Sequence, residues 1–158
     1  MTLHRTVVMV GMMGSGKTAI GKALAARLGV AFMDSDAAIV EAAQASISDI
    51  FERDGEVFFR RREAEVIARL LSGPPSILST GGGAFLAADN RELIEKQGVA
   101  LLLDAPLDLL WERVRYKDTR PLLRTDNPLA TLTEIYDARA PIYAKASLRV
   151  DVRPRFSI

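Results

Sequence analysis

The sequence predicts an α/β fold with a mostly parallel sheet and helices on both of its faces. Short apolar segments, typical of strands buried on both sides, alternate with longer segments of helical pattern. No repeat or low-complexity segment interrupts the alternation, and 158 residues suffice for one domain with a substantial core. We therefore expect residues 1–158 to form a single domain.

Composition narrows the classes of function. Hydrophobic content of 49% and charged content of 26% indicate a globular rather than a disordered protein. A net charge of +1 provides no general attraction to nucleic acid or acidic membranes, and no apolar run is long enough to span a bilayer. The absence of cysteine excludes disulfides, thiolate catalysis and cysteine-ligated metals, and it is typical of a reducing cytoplasm. The single histidine, His4, is expected to be solvated beside the N-terminus.

The first predicted strand, residues 6–10, leads directly into the phosphate-binding P-loop signature. Residues 11–18 read Gly-Met-Met-Gly-Ser-Gly-Lys-Thr, and a helical pattern follows over 19–28. Glycines leave room for a phosphate, and consecutive N–H groups with the helix N-terminus attract it. Lys17 adds a full positive charge, and the Thr18 hydroxyl can ligate Mg²⁺. An ordinary glycine turn would explain one or two of the glycines but not the terminal Lys-Thr.

The second predicted strand, residues 30–33, delivers two aspartates at its C-terminal end. Ligands of open α/β sheets bind beyond that end of the strands. Because side chains two apart on a strand share a face, Asp34 and Asp36 are expected to face one cleft. Alternatively, one of them caps the helix predicted over 37–43, but a cap needs only one aspartate.

Two further helices are predicted before the third strand. A short helix begins near residue 46 and ends near Gly55, and a longer one covers about 56–71. Arg60 extends an apolar stripe formed by residues 64, 67 and 71, so its charge is expected to need an anionic partner. Arg61 and Arg62 are expected on a solvated face.

Three adjacent glycines follow the third predicted strand, residues 76–79. Gly81–Gly83 allow the backbone to approach a small ligand and to present N–H donors. The alternative is a flexible connector, although connectors rarely follow a strand end that faces a P-loop.

The remaining segments complete the alternation. Helices are predicted over 89–97, 107–115 and 128–146, and strands over 99–103 and 148–152. Pro141 should kink the last helix or begin a new turn. Between residues 113 and 124 five basic side chains oppose one acidic side chain, a composition typical of a solvated loop or of a lid over phosphates.

Together these motifs resemble the shikimate kinase family of small P-loop metabolite kinases. The resemblance covers nearly the whole chain, and the ordered set is far more specific than a P-loop alone. The matching segments are residues 11–18, Asp-Ser-Asp at 34–36, Asp-Gly-Glu at 54–56, Phe-Arg-Arg at 59–61, Gly-Gly-Gly at 81–83, Arg-Pro-Leu-Leu at 120–123 and Arg-Ala-Pro-Ile-Tyr at 139–143.

The resemblance implies a three-layer P-loop kinase fold with a five-stranded parallel sheet in the order 2-3-1-4-5. It also implies a small helical substrate-binding subdomain at about residues 34–62 and a lid at about residues 113–126. The implied reaction transfers a phosphoryl group from MgATP to the 3-hydroxyl of shikimate, giving shikimate 3-phosphate in the pathway to chorismate and aromatic amino acids. ATP, Mg²⁺ and shikimate are the expected partners of a cytoplasmic monomer that binds neither nucleic acid nor membrane.

The family's site residues transfer to matching positions of this sequence. The nucleotide-binding residues would be Gly14, Ser15, Gly16, Lys17, Thr18, Ala19, Arg113 and Arg120. The substrate-binding residues would be Asp36, Arg60, Gly81, Gly82, Gly83 and Arg139. The catalytic residues would be Lys17, Asp36 and Arg120, and Mg²⁺ would be served by Thr18 and Asp34.

The implied roles agree with the chemistry of the substrates. Arg60 and Arg139 would hold the shikimate carboxylate, since arginine forks match carboxylate geometry. Lys17 and Arg120 would meet the transferring phosphate, and Arg113 would stack on adenine. Asp36 would either accept the proton of the reacting hydroxyl or only orient that hydroxyl.

The sequence departs from the family at its end. Family members usually continue through an adenine-contacting loop and a C-terminal helix, whereas this sequence ends at residue 158. Pro154 would retain part of that loop, and a shortened chain or a longer parent protein would account for the difference.

Four other readings compete with this assignment. A gluconate kinase would share mainly the P-loop, and a nucleoside monophosphate kinase would place a second phosphate beside Asp34 and Asp36. A nucleotide-operated switch lacks the Asn-Lys-x-Asp guanine signature here. A catalytically inactive binding protein is the fourth alternative.

Overall fold

The computed structural model describes residues 2–115, 123 and 125–153 of the chain. Its strands form one parallel sheet in the order β2-β3-β1-β4-β5, numbered along the chain, which confirms the expected topology. The strands are β1 (Thr6–Val10), β2 (Phe32–Asp34), β3 (Ile77–Ser79), β4 (Gly98–Asp104) and β5 (Leu148–Asp151).

The central strand β1 lies between β3 and β4 and is enclosed by both. Val8 pairs with Leu78 on one side and Ala100 on the other, and all three side chains are buried. Parallel pairing brings the C-terminal ends of β1, β2 and β3 to one edge of the sheet. The P-loop, the two aspartates and the three glycines therefore emerge at the same edge.

Six helices surround the sheet within the described part of the chain. They are α1 (Lys17–Leu28), α2 (Ser35–Ala43), α3 (Ile47–Leu71), α4 (Ala88–Gln97), α5 (Leu107–Val114) and α6 (Pro128–Tyr143). Helix α1 ends at Gly29, which adopts the left-handed conformation that glycine favours at a helix C-terminus. Helix α6 contains Pro141 and continues past it to Tyr143, three residues short of the predicted end.

Helix α3 combines the two helices that the sequence predicts between residues 46 and 71. Gly55 interrupts it with φ 85° and ψ 170°, values outside the helical region, so the predicted boundary is present as a kink. A positive φ favours glycine at this point because other side chains are strained there.

A small second hydrophobic cluster holds α2 against α3. It consists of Ile39, Ile50, Phe59 and Val66, while a larger cluster fills the space around the sheet. The α2–α3 pair thus has apolar packing of its own beside the sheet. The substrate-binding subdomain over about 34–62 stays a prediction.

None of the helices in the described segments combines the length and the apolar character that a membrane crossing requires.

Truncation of Ile67 should test the packing of α3 on the sheet. Ile67 is fully buried in the larger cluster, so Ile67→Ala should lower the free energy of unfolding by about 2–5 kcal/mol through lost burial and a cavity. Urea denaturation monitored by circular dichroism measures this. Val57→Ala is the matched control on the same helix, because Val57 is 76% exposed and should change stability by less than about 0.5 kcal/mol. A similar loss for both variants would contradict the packing.

Candidate active site

The P-loop joins β1 to α1 in a conformation that depends on glycine. Gly14 and Gly16 have φ values of 81° and 100°, and Gly16 is the N-cap of α1. Because the capping residue has no side chain, it supplies no oxygen of its own to the first N–H groups of the helix. The positive end of α1 is thereby suited to an anion.

Lysine and hydroxyl groups complete this loop. Lys17 Nζ donates to the Gly11 carbonyl oxygen at 2.6 Å and to the Met12 carbonyl oxygen at 3.4 Å, so its charge lies over the loop. Thr18 is exposed in the first turn of α1, next to the half-buried Ala19. Ser15 is buried, and its hydroxyl oxygen has no hydrogen-bond partner among the described residues.

The end of α5 braces the P-loop. Arg113 Nη1 donates to the Gly14 carbonyl oxygen at 2.9 Å, across 99 residues of sequence. The stacking of Arg113 on adenine stays a prediction, whereas its contact with the loop backbone was not foreseen. Arg120 and most of the predicted lid, residues 116–122 and 124, lie outside the described residues.

Asp34 and Asp36 were expected to follow one strand and share a face, but the structure places them in different elements. Asp34 ends β2, and its Oδ1 accepts from the Ala37 N–H at 3.1 Å, so it is the N-cap of α2. Asp36 instead lies in the first turn of α2. The strand-periodicity argument was therefore wrong for Asp36, because the helix begins immediately after Asp34. The capping role expected for one aspartate is confirmed for Asp34.

Asp36 nevertheless lies at the meeting point of the site. Burial and the nearby Asp34 carboxylate raise the pKa of Asp36, while the charges of Lys17 and Arg60 partly oppose that shift. Its Oδ1 is buried and has no hydrogen-bond partner in the described segments. An unsatisfied buried carboxylate oxygen beside the P-loop lysine is an acceptor that a substrate hydroxyl could use.

Arg60 has the anionic partner that its position on the apolar stripe predicts. Arg60 Nη1 donates to Glu63 Oε1 at 2.9 Å, and the Glu63 side chain is only 1% exposed. Burial raises the pKa of Glu63, and the adjacent Arg60 opposes this. The exposed Arg61 and Arg62 are on the solvated face, as expected.

Glu63 is a site residue that the sequence analysis missed. A signal was present, since Glu63 is one turn from Arg60 at a spacing that brings helical side chains together. A carboxylate three residues after an inward arginine could have been recognised as its partner.

Each glycine of the triplet faces a different charged side chain. A Cβ atom at Gly81 would lie 2.8 Å from Asp36 Oδ1, and one at Gly82 would lie 2.9 Å from Arg139 Nη1. A Cβ atom at Gly83 would lie 2.5 Å from Arg60 Nη2. The triplet is therefore not a flexible connector: its backbone is in close contact with three of the predicted substrate-binding side chains.

Tyr143, the last residue of α6, fastens this backbone to the helix that carries Arg139. Its hydroxyl donates to the Gly82 carbonyl oxygen and lies near the Arg139 guanidinium. Tyr143 belongs to the Arg-Ala-Pro-Ile-Tyr motif at residues 139–143, but no role was predicted for it.

The site thus has two sides. One side is a P-loop that can hold the phosphates of a nucleotide, and the other combines a buried carboxylate with two arginines on a glycine backbone. Such an arrangement can place a small anion with hydroxyl groups against a phosphoryl donor.

Comparison with known proteins identifies relatives along almost the whole chain. A family model described as shikimate kinase matches residues 13–155. The shikimate kinase of Ruegeria pomeroyi is 66% identical over 148 residues, covering 94% of this chain and 76% of the relative. That of Cereibacter sphaeroides is 60% identical over 149 residues, covering 94% and 75%.

Solved structures give a consistent result. A structure described as shikimate kinase from Acinetobacter baumannii in complex with shikimate has a TM-score of 0.90 and 39% identity, covering 94% of this chain and 84% of that chain. A gluconokinase from Sinorhizobium meliloti has a TM-score of 0.61 with 18% identity, covering 98% and 86%. The second likeness shows a shared fold only.

Neutralising Asp36 should stabilise the protein at neutral pH. Because the pKa of Asp36 is raised, the folded protein retains a proton that the unfolded chain has already released, and ionisation at higher pH costs stability. Asp36→Asn should therefore raise Tm by a few degrees at pH 7–8, and the gain should shrink as the pH falls towards 4. Calorimetric scans at several pH values measure this, and a lower Tm for the variant at neutral pH would contradict the assignment.

Proposed function

The chain belongs to the shikimate kinase family, and we infer that it is an ATP-dependent kinase that phosphorylates shikimate. The product would be shikimate 3-phosphate, on the route to chorismate and the aromatic amino acids. The observation that carries this inference is the placement of Asp36, Arg139 and Arg60 against three successive glycines beside the P-loop. The relatives named above are consistent with it.

The two arginines are suited to the carboxylate of shikimate. Arg60 and Arg139 lie against Gly83 and Gly82 respectively, so both guanidinium groups border the same stretch of backbone. A planar guanidinium can donate two parallel hydrogen bonds to a carboxylate, which fixes the orientation of the substrate as well as its position. We assign both residues to carboxylate binding, and Asp36 with the glycine backbone to the hydroxyl groups.

Asp36 is suited to receive the proton of the reacting hydroxyl. The raised pKa of Asp36 makes its carboxylate a stronger base than a solvated aspartate, and general-base catalysis improves as the pKa approaches the working pH. The hydroxyl oxygen would attack the γ-phosphorus while its proton passes to Asp36, and ADP would leave. Lys17 and Arg120 would stabilise the charge that spreads over the transferring phosphoryl group.

The residues near the P-loop fit a magnesium ion shared with the nucleotide. Mg²⁺ in kinase sites usually retains several waters and takes only one or two protein ligands. Thr18 is exposed at the start of α1, and Asp34 uses only its Oδ1 as a cap. The described residues contain no group of three or more acidic or histidine ligands, which agrees with an ion held mainly by phosphates. When bound, the ion would neutralise phosphate charge, with Thr18 as ligand and Asp34 acting through water.

Two moving parts are proposed around this site. The α2–α3 region, about residues 34–62, would act as the substrate-binding subdomain, and residues 113–126 would act as a lid over the phosphates. Arg113 would contact adenine in addition to the P-loop. We propose a cytoplasmic monomer whose partners are the small molecules ATP and shikimate rather than nucleic acid or membrane.

A coupled ADP-release assay should show turnover with shikimate. Shikimate, gluconate and nucleoside monophosphates are offered separately with ATP, in the presence of Mg²⁺ and with excess EDTA. We expect ADP release only with shikimate and Mg²⁺, because the arginine pair and the aspartate together match a hydroxylated carboxylate.

Lys17→Ala is the control for nucleotide chemistry. Loss of its charge should lower kcat by on the order of 10²-fold or more. Gluconate-dependent ADP release without activity on shikimate would contradict the proposed function, and normal turnover by Lys17→Ala would remove Lys17 from the mechanism.

A further inference from the structure

The buried hydroxyl of Tyr143 connects helix α6, which carries Arg139, to the glycine triplet of the proposed substrate site. Tyr143 ends α6, and its side chain is only 3% exposed within the larger hydrophobic cluster. Its ring is therefore part of the core, whereas its hydroxyl reaches the glycine triplet 61 residues away in sequence. Packing alone would be satisfied by phenylalanine, so the hydroxyl needs a separate explanation.

The hydroxyl lies between two groups assigned to substrate binding. It donates to the Gly82 carbonyl oxygen, and the Arg139 guanidinium, one turn earlier on α6, is near enough for its charge to act on the hydroxyl. Arg139 Nη1 would itself lie 2.9 Å from a Cβ atom at Gly82, and the Tyr143 hydroxyl 3.8 Å from it. The hydroxyl, the guanidinium and the Gly82 backbone thus form one contact group.

The hydroxyl gives its proton to the Gly82 carbonyl oxygen, so its oxygen lone pairs are left to face the positive charge of Arg139. Burial raises the pKa of Tyr143, and the neighbouring arginines only partly oppose this, so the hydroxyl keeps its proton at neutral pH.

The glycine segment is fastened on both sides of this contact. The Thr80 hydroxyl donates to the Met9 carbonyl oxygen at 2.9 Å on one side, and Asn90 Nδ2 donates to the Ala84 carbonyl oxygen at 2.9 Å on the other. Tyr143 holds the segment between these points. The Gly81 and Gly83 carbonyl oxygens accept backbone hydrogen bonds from Ala84 and Leu86, and Tyr143 adds the attachment at Gly82. Since three consecutive glycines impose little conformational restriction of their own, this attachment restricts their backbone further.

We propose that Tyr143 is a positioning residue that holds the Gly82 backbone and Arg139 in a fixed relation for binding the carboxylate of shikimate. The inference rests on the proposed function. It assigns Tyr143 no contact with the reacting atoms, and it separates the hydroxyl from the packing of its ring. Without the hydroxyl, the Arg139 guanidinium and the Gly82 backbone would both remain in the site, but the group that holds them at a fixed distance from each other would be missing.

Tyr143→Phe removes the hydroxyl and retains the buried ring. We expect the KM for shikimate to rise about 10-fold, corresponding to about 1.4 kcal/mol, with kcat within about 3-fold and the KM for ATP within about 2-fold. Tm should fall by no more than a few degrees because the ring still fills the core. Tyr136→Phe, two turns earlier on the same helix, is the matched control and should leave all three constants unchanged.

A double-mutant cycle with Arg139→Ala tests whether Tyr143 acts through the arginine. If the two residues form one unit, adding Tyr143→Phe to Arg139→Ala should raise the KM for shikimate by no more than about 2-fold further. An unchanged KM for shikimate in Tyr143→Phe, equal losses for shikimate and ATP, or fully additive effects would each overturn the proposal. Failure of the proposed function is distinguishable, because it would appear as no shikimate-dependent ADP release by the wild-type protein.

Discussion

The close approach of three charged side chains to residues 81–83 is the constraint on which the rest of the site depends. Asp36 comes from α2, Arg60 from α3 and Arg139 from α6, and each would clash with a Cβ atom at one of the three positions. Because each approached atom lies at the end of a flexible side chain, a Cβ atom would displace the carboxylate or guanidinium groups from this backbone rather than disrupt the fold. The glycines thus let charged side chains from three separate parts of the chain approach one short stretch of backbone.

The same meeting point concentrates buried charge, which is costly unless the charges are paired. The buried Glu63 is paired with the half-buried Arg60, while burial and Asp34 raise the pKa of Asp36 in spite of Lys17 and Arg60. The ionised form of Asp36 is therefore disfavoured in the folded protein, and under the proposed function a substrate hydroxyl would supply the hydrogen bond that its Oδ1 lacks among the described residues. Active sites commonly trade stability for function in this way.

Much of the fold could be predicted because its signals are local or belong to ordered motifs. β1 has the predicted bounds, and the kink at Gly55 follows from a glycine between two helical patterns. The inward position of Arg60 followed from helical periodicity, and the capping role of Asp34 from its residue type. Asp36 was misplaced because the helix starts at Ser35, one residue after the strand.

The contacts of Glu63 and Tyr143 were harder to predict because they depend on packing between distant segments. Glu63 could have been recognised from its spacing to Arg60, but that pattern more often describes a solvated ion pair. The Tyr143 hydrogen bond to the backbone at Gly82 joins residues 61 apart, and no local pattern reports it. Similarly, the contact of Arg113 with the P-loop requires the fold to be known first.

The central claim, that Arg60 on this glycine backbone binds the carboxylate of shikimate, is tested most directly by the shikimate Kd of Arg60→Lys. Lysine keeps a positive charge beside the buried Glu63 but loses the planar fork, whereas alanine would leave Glu63 without its partner. By isothermal titration calorimetry, we predict a Kd for shikimate raised by on the order of 10-fold, with ATP affinity within about 2-fold. Arg61→Lys on the exposed face should match the wild type. A shikimate Kd for Arg60→Lys equal to that of Arg61→Lys would contradict the account.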